Sequence, residues 1–267
     1  HVQAAAAAAA ALAPRLPLPF ASSSFVERSR HTPLDLWTSA RPTDVPARGR
    51  AVGYLAGTCV AHRERLFDLL VARFGAAAEA LGDCSGSHPE RNLGLESSRR
   101  AEGFMDQAVE LLGGYRFAVA FENKYVHGYV TEKIVNAFLA GAIPIYWGSD
   151  AALEMFNPEA FVFANRFMPA PASRPLDGLE AVAEEVWRIA SDPELLRRMA
   201  SAPVLSEAQL EAWFSWHRGV GTGSLARRLR ERALALLGPR PPVPELCEDG
   251  VGLCPRGAEL PAVTGRP

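Results

Sequence analysis

The sequence lacks most of the short motifs that mark common enzyme classes. It contains no G-x-G-x-x-G and no G-x-x-x-x-G-K-[ST], so dinucleotide oxidoreductases and P-loop enzymes lose their main signature. It contains no G-x-S-x-G elbow, the turn that carries the nucleophile of many hydrolases. It also contains no D-x-D, which argues against a diphosphate bridged by a metal ion. Whatever chemistry the chain performs must be sought outside these patterns, and we expect no metal site.

The sequence also has few cysteines and a net charge close to zero. None of the four cysteines belongs to a C-x-x-C pair, so a zinc site or a thioredoxin-type site has no support. Two alternatives remain for Cys247 and Cys254, which either close a small loop in an oxidising lumen or stay as two thiols. The net charge of −2 removes the electrostatic argument for nucleic acid or for an anionic membrane surface as a partner.

Long apolar runs are missing too. The alanine-rich start, residues 4–13, is too short to span a membrane and runs into Pro14. Because the chain begins with His1 and not with Met, we expect a fragment or a missing N-terminus. Residues 1–50 are rich in Ala, Pro, Ser and Arg and are predicted to form a linker.

What the sequence does contain is an alternation of short apolar runs with helical patterns. With 48% hydrophobic residues the chain can build a globular core. The alternation predicts an α/β fold, a Rossmann-like doubly wound parallel sheet over residues 51–218, then a helix over 219–237 and a disordered Pro/Gly-rich tail over 238–267. Strands are predicted at 51–56, 76–81, 117–121, 142–147 and 161–163, with helices at 63–74, 101–112, from 131 onward, 179–190, 193–200, 207–217 and 224–237.

Residues 117–150 form a predicted β-α-β unit with an unusual lysine. The unit implies a ligand crevice at the carboxyl ends of its strands. Lys133 follows Thr131 in the first turn of the helix, where a positive charge opposes the helix dipole unless an anion such as phosphate compensates it. The alternative is a surface lysine paired with Glu132 or Glu122.

Other polar residues lie at the same predicted edge of the sheet. Arg63 opens the helix after the first strand, and together with Lys133 it indicates a site for a nucleotide diphosphate. Glu122 and Asn123 end a buried strand, where they can hold ribose or sugar hydroxyls, and Tyr129 lies in the loop beside them. The alternatives are that Asn123 is a turn residue and that the tyrosine only packs.

These residues belong to a longer stretch, FAVAFENKYVHGYVTEKIVNAFLAGAIPIYWGS, followed by Phe156-Asn157-Pro158. The stretch resembles the donor-binding motif of the α-1,3/α-1,4-fucosyltransferases. A weaker resemblance extends from AVGYLAGTCVAHRERLFDLL to WFSWHRG. The resemblance as a whole implies a glycosyltransferase of the GT-B type, which is built from two facing Rossmann-like domains. Residues 51–218 would be its C-terminal half, which binds GDP-fucose. Residues 1–50 would then be a linker or a remnant of the N-terminal acceptor domain.

The resemblance also implies roles for single residues. Arg63 and Lys133 match the diphosphate ligands, and Asn123, Tyr129 and Glu132 match residues that line the guanosine ribose and the fucose. Glu132 is the catalytic candidate, through stabilisation of the donor or of the transition state. The family transfers fucose with inversion, using a general base from the N-terminal domain that we assign to no residue of this chain.

Partners and location follow from the resemblance alone. It implies GDP-fucose as the donor substrate, no required cofactor with a divalent cation as an optional stimulant, and an acceptor oligosaccharide or glycoprotein. It implies the lumenal side of the Golgi membrane through an N-terminal anchor in a eukaryote, and a cytoplasmic or peripheral membrane location in a bacterium. We expect the chain alone to bind GDP or GDP-fucose weakly and to transfer poorly. The alternatives are a glycosyltransferase of the same fold with another nucleotide sugar and a non-catalytic nucleotide-binding remnant.

Overall fold

The computed structural model describes seven parts of the chain, namely residues 35–41, 43–94, 104–168, 176–215, 222–237, 245–246 and 253–254. The chain divides into two compact units, His1–Leu225 and Ala226–Pro267. The first unit holds the sheet and the candidate site.

A five-stranded parallel sheet organises the first unit. Its strands are short apolar runs that are buried on both faces, as is typical of parallel sheets covered by helices. The order β2-β1-β3-β4-β5 reverses direction between β1 and β3. This confirms the predicted doubly wound sheet and places its switch point beside these two strands. The strands are β1 (Arg50–Tyr54), β2 (Ala78–Ala80), β3 (Tyr115–Phe121), β4 (Ile143–Trp147) and β5 (Val162–Phe163).

Within the described residues the helices follow the predicted pattern with two additions, a four-residue helix at Asp35–Thr38 and a short helix directly after β4. The last predicted helix of the domain also differs, because it begins as α-helix and continues as a π-helical turn, Leu210–Phe214. The α-helices are α1 (Asp35–Thr38), α2 (Ala61–Phe74), α3 (Phe104–Leu112), α4 (Glu132–Leu139), α5 (Ala151–Met155), α6 (Leu179–Ser191), α7 (Pro193–Ser201), α8 (Glu207–Gln209) and α9 (Ser224–Leu237).

Strand β3 contributes to the core on both sides of the sheet. Phe117 and Phe121 belong to the same core cluster as residues of α2 and α6. Ala118 and Ala120 instead pack among residues of α4, and their small side chains let this helix lie close to the strand. Gly141, with φ of 69°, then turns the chain from α4 into β4, a conformation that favours glycine.

Part of the predicted linker belongs to the folded unit. The Trp37 indole is buried, and its ring centre lies 6.5 Å from that of Phe138. The Trp37 carbonyl accepts a hydrogen bond of 2.9 Å from the Leu205 amide, and Val45 is fully buried. The domain therefore begins upstream of the predicted boundary at residue 51, because these apolar side chains cover α4 and the end of the sheet.

The second unit contains a small antiparallel pair, β6 (Glu245–Leu246) with β7 (Leu253–Cys254). Disorder was expected over residues 238–267, but these four residues form strands. The rest of that predicted tail is outside the described residues. Cys247 is outside them as well, so the predicted alternatives for Cys247 and Cys254 stay open. Within the described parts of the chain, no helix is long and apolar enough to cross a membrane.

Candidate functional site

A cavity of about 390 Å³ lies at the carboxyl ends of β1 and β3. This is the switch point of the sheet, where ligands of open α/β folds bind. The loop after β1, α3 and β3 supply mainly apolar side chains, whereas the starts of α2 and α4 and the residue Asn123 after β3 supply polar ones. Its lining residues are Leu55, Ala56, Gly57, Thr58, Arg63, Ala108, Leu112, Val119, Asn123, Glu132, Lys133 and Asn136.

Arg63 places a buried cation in the wall of the cavity. It lies in the first turn of α2 and is only 3% exposed. Its guanidinium donates to the Thr58 carbonyl at 3.3 Å and to the Asn123 side-chain oxygen. Its Nε has no acceptor within the described part of the chain. Burial lowers the pKa of Arg63, so an anion in the cavity would relieve a real desolvation cost.

Lys133 brings a second cation from the first turn of α4. Its ammonium lies 3.4 Å from the Glu122 carboxylate and 3.3 Å from the Glu132 carboxylate, and it donates to the Thr131 hydroxyl at 3.1 Å. The ion pairs expected under the alternative interpretation are therefore present. The structure corrects the idea that only a phosphate compensates this charge, because protein carboxylates do so here while Lys133 still lines the cavity.

Glu122 is not arranged as a sugar ligand. Its side chain is fully buried, and it does not line the cavity. The carboxylate accepts hydrogen bonds from the Thr131 amide at 2.8 Å and from the Thr131 hydroxyl at 2.8 and 2.9 Å, so it closes the N-terminus of α4. Burial raises the pKa of Glu122, and Lys133 and Thr131 act in the opposite direction. The prediction that it holds hydroxyl groups is corrected for this structure.

The remaining predicted site residues divide between the cavity and its edge. Glu132 and Asn123 line the cavity beside the two cations. Tyr129 does not line it, although it is close enough to contribute to the electrostatic surroundings of Arg63. The structure thus brings together four of the six predicted residues and leaves Glu122 and Tyr129 outside the cavity wall.

Sequence reasoning missed Asn136, a buried residue of α4 that also lines the cavity. The available signal was a polar amide within an otherwise apolar helix face, IVNAF. It also missed His62, the neighbour of Arg63, which is 4% exposed.

His62 joins the start of α2 to the end of β3. Its Nε2 lies 3.0 Å from the Glu122 carbonyl oxygen, and since a carbonyl only accepts, this nitrogen carries the proton. The imidazole packs on the Trp147 ring with 4.5 Å between ring centres. Burial lowers the pKa of His62, which favours the neutral ring.

A disulfide that the sequence analysis did not predict ties two loops at the edge of the cavity. Cys59, after β1, is bonded to Cys84, after β2, with 5.2 Å between their Cα atoms. Glu64 strengthens the same junction, since its carboxylate accepts from the Tyr54 hydroxyl and, at 2.8 Å, from the Gly86 amide. The disulfide and the hydrogen bonds of Glu64 therefore fix the loop whose Thr58 carbonyl accepts from Arg63.

The family model for the C-terminal part of glycosyltransferase family 10, the fucosyltransferases, matches residues 48–184. The chain belongs to this family. Every residue that lines the cavity falls inside the matched region of the family-10 domain. The resemblance inferred from the stretch 117–149 is thereby confirmed.

Individual relatives agree with the family assignment. The α-(1,3)-fucosyltransferase FucT of Helicobacter pylori is 48% identical over 58 residues, which cover 22% of this chain and 12% of that protein. The α-(1,4)-fucosyltransferase of Arabidopsis thaliana is 27% identical over 150 residues, or 53% of this chain and 34% of that protein.

A solved α1,3-fucosyltransferase with GDP shares the fold of this family-10 chain. The TM-score is 0.53 at 22% identity, over 74% of this chain and 50% of that one. The predicted fold class, the C-terminal half of a GT-B type enzyme, is confirmed. The chain spans half or less of the length of these relatives.

Proposed function

We propose that this chain is the donor-binding half of an inverting fucosyltransferase, which holds GDP-fucose while L-fucose passes to a hydroxyl of an acceptor glycan. One observation carries the proposal. Arg63 and Lys133, from the starts of two different helices, converge on a single cavity at the switch point of the sheet. Two cations and two helix N-termini form a site suited to a diphosphate.

The reaction follows from the charge that this site can hold. A base removes the proton of the acceptor hydroxyl, the acceptor oxygen bonds to C1 of fucose from the face opposite the diphosphate, and the C1–O bond to the diphosphate breaks. GDP leaves with the electron pair of that bond. Negative charge grows on the leaving diphosphate, where Arg63 and Lys133 stabilise it more strongly in the transition state than in the ground state.

Glu132 and Asn123 complete the donor site in this proposal. The side-chain oxygen of Asn123 accepts a hydrogen bond from Arg63, so the amide N–H groups of Asn123 remain to donate to the sugar or ribose of GDP-fucose. Glu132 carries the carboxylate at the cavity wall, where it accepts from sugar hydroxyls and stabilises positive charge that develops on the fucose ring. Tyr129 does not line the cavity in the free protein, and its contact with the donor stays a prediction.

In this proposal the acceptor hydroxyl is bound and deprotonated by groups other than the donor-site residues. The chain covers half of the solved relative, and the general base is assigned to no described residue. We expect an acceptor oligosaccharide or glycoprotein to bind between this domain and a second one. Because both cationic groups come from the protein, transfer is expected to need no metal, and a divalent cation is expected to add at most a stimulation.

The location is proposed from the disulfide. The Cys59–Cys84 bond supports an oxidising compartment, since such bonds are rare in cytosolic proteins. Among the expected locations this favours the lumenal side of the Golgi membrane over the bacterial cytoplasm.

Titration calorimetry of the full chain with nucleotides tests the proposal. We expect binding of GDP and GDP-fucose, competition by GDP-mannose through the shared diphosphate and guanine, and weaker binding of UDP-sugars. Fucosyl transfer by this chain alone is expected to be slow. Absence of heat with GDP, or tighter binding of a UDP-sugar than of GDP-fucose, would contradict the donor assignment.

A further inference from the structure

Glu122 is bonded to three different elements around the donor cavity. Its amide donates to the Trp147 carbonyl at the end of β4, at 2.8 Å. Its carbonyl accepts from His62 in the first turn of α2. Its carboxylate accepts from Thr131 at the start of α4. The residue therefore connects the two helix starts that carry the cations of the site.

The contacts between α2 and the end of β3 form two successive rungs. His62 donates to the carbonyl of Glu122, and the next residue, Arg63, donates to the side chain of the next residue, Asn123. Because neighbours in one segment bind neighbours in the other, a shift at the first rung displaces the second. The first rung is fully internal, with His62 4% exposed and Glu122 0% exposed.

We propose that His62 is a positioning residue for the donor site. Its Nε2–H fixes the start of α2 against the end of β3, so that Arg63 faces the same point in the cavity as Lys133. The inference rests on the proposed function for its ligand, although the positioning itself is a property of the free protein. His62 itself does not line the cavity, and it acts through its hydrogen bond to the Glu122 carbonyl and through its chain neighbour Arg63, which binds Asn123.

Packing alone is the competing explanation, because the imidazole also lies against Trp147. Two substitutions distinguish the packing of the imidazole ring from the hydrogen bond that its Nε2–H donates. His62→Gln keeps an N–H group near the position of Nε2 and loses the ring, whereas His62→Phe keeps the ring and leaves the Glu122 carbonyl without its buried donor. Leu196→Ala, in the core on α7, is a control for a general loss of stability away from this junction.

We would measure GDP affinity by calorimetry and amide hydrogen exchange over residues 122–133 in the free protein. Positioning predicts that His62→Phe weakens GDP binding about tenfold and speeds exchange in this segment, since an unpaired buried carbonyl opens the junction. His62→Gln should stay within about twofold of the wild type, the amide donor being retained. Leu196→Ala should bind GDP normally while folded and leave exchange over 122–133 unchanged relative to the rest of the protein.

Two results would overturn the inference. One is a folded His62→Phe protein with wild-type exchange over 122–133. The other is a His62→Gln protein as impaired as His62→Phe, which would assign the effect to ring packing. A wild-type protein that binds no GDP would sink the proposed function instead, and the exchange measurement would still decide the role of His62.

Discussion

The fully buried carboxylate of Glu122 lies 3.4 Å from the ammonium of Lys133, which is 24% exposed and faces the cavity. The pair gives Lys133 two roles, because the same ammonium neutralises an internal anion and presents charge to a ligand. Lys133 therefore contributes both to stability and to donor binding, and mutations can separate these two contributions.

Lys133→Ala is expected to reduce both stability and donor binding. Removal of the ammonium leaves the Glu122 carboxylate uncompensated, at a cost of about 3 kcal/mol in the free energy of unfolding. Loss of the cation should weaken GDP binding by about tenfold or more. The double substitution Glu122→Gln with Lys133→Ala should recover stability in urea unfolding but not GDP affinity. If GDP affinity and unfolding were both unchanged in Lys133→Ala, the lysine would have neither role.

Asn123→Ala is expected to weaken GDP binding with little change in melting temperature. The side chain is exposed, so its loss costs the fold little, but its oxygen orients the guanidinium of Arg63. Asn123→Asp is the matched variant, since it keeps the acceptor and adds a negative charge that repels the diphosphate. Calorimetry and thermal melting distinguish the outcomes, and a large loss of melting temperature in Asn123→Ala would indicate a structural turn instead.

Acid should destabilise the protein through His62. Burial is the main cause of its lowered pKa, and the charge of Arg63 acts in the same direction while the Glu122 carbonyl opposes it. The unfolded chain therefore binds this proton more readily than the folded one, so stability falls as pH drops below about 6.5, the usual histidine value. Urea unfolding between pH 5 and 8 measures the slope. His62→Gln should flatten it, and an equal slope in both proteins would exclude His62 as its source.

Reduction of the Cys59–Cys84 disulfide should lower the free energy of unfolding by about 3 kcal/mol, because the bond closes a loop with a sequence separation of 25. Unfolding with and without dithiothreitol measures the effect. The variant Cys59→Ser with Cys84→Ser should already be destabilised and should respond little to the reductant. A full response in that variant would point to the other two cysteines.

Gly148→Ala should destabilise the packing around the buried side chain of Glu122. An added Cβ would lie 2.7 Å from Cγ of Glu122 and 2.6 Å from the Tyr146 hydroxyl, closer than such atoms normally approach. We expect the free energy of unfolding to fall by about 1–3 kcal/mol, because the Glu122 side chain must shift to make room for the added Cβ. Gly49→Ala is the control, since nothing lies within 4 Å of its added Cβ. Equal melting temperatures for the two variants would contradict the close packing.

The element pattern was readable from the sequence because it depends on local periodicity. The apolar run that became β3 and the amphipathic helix α4 were both predicted, since strand and helix periods are written into consecutive residues. The upstream boundary was placed too late, because Trp37 and Val45 stand among Pro- and Arg-rich residues that carry no periodic signal. Helix α5 has only five residues and was missed for the same reason.

By itself the sequence determined the parallel α/β fold, the family, and the edge of the sheet where Arg63, Asn123, Glu132 and Lys133 meet. Only the tertiary structure decided that Glu122 turns inward to Thr131 and Lys133, that His62 bonds its carbonyl, and that Cys59 pairs with Cys84. The physical reason is distance along the chain. Period and motif report neighbours in sequence, whereas these bonds depend on the direction of each side chain after distant segments have packed.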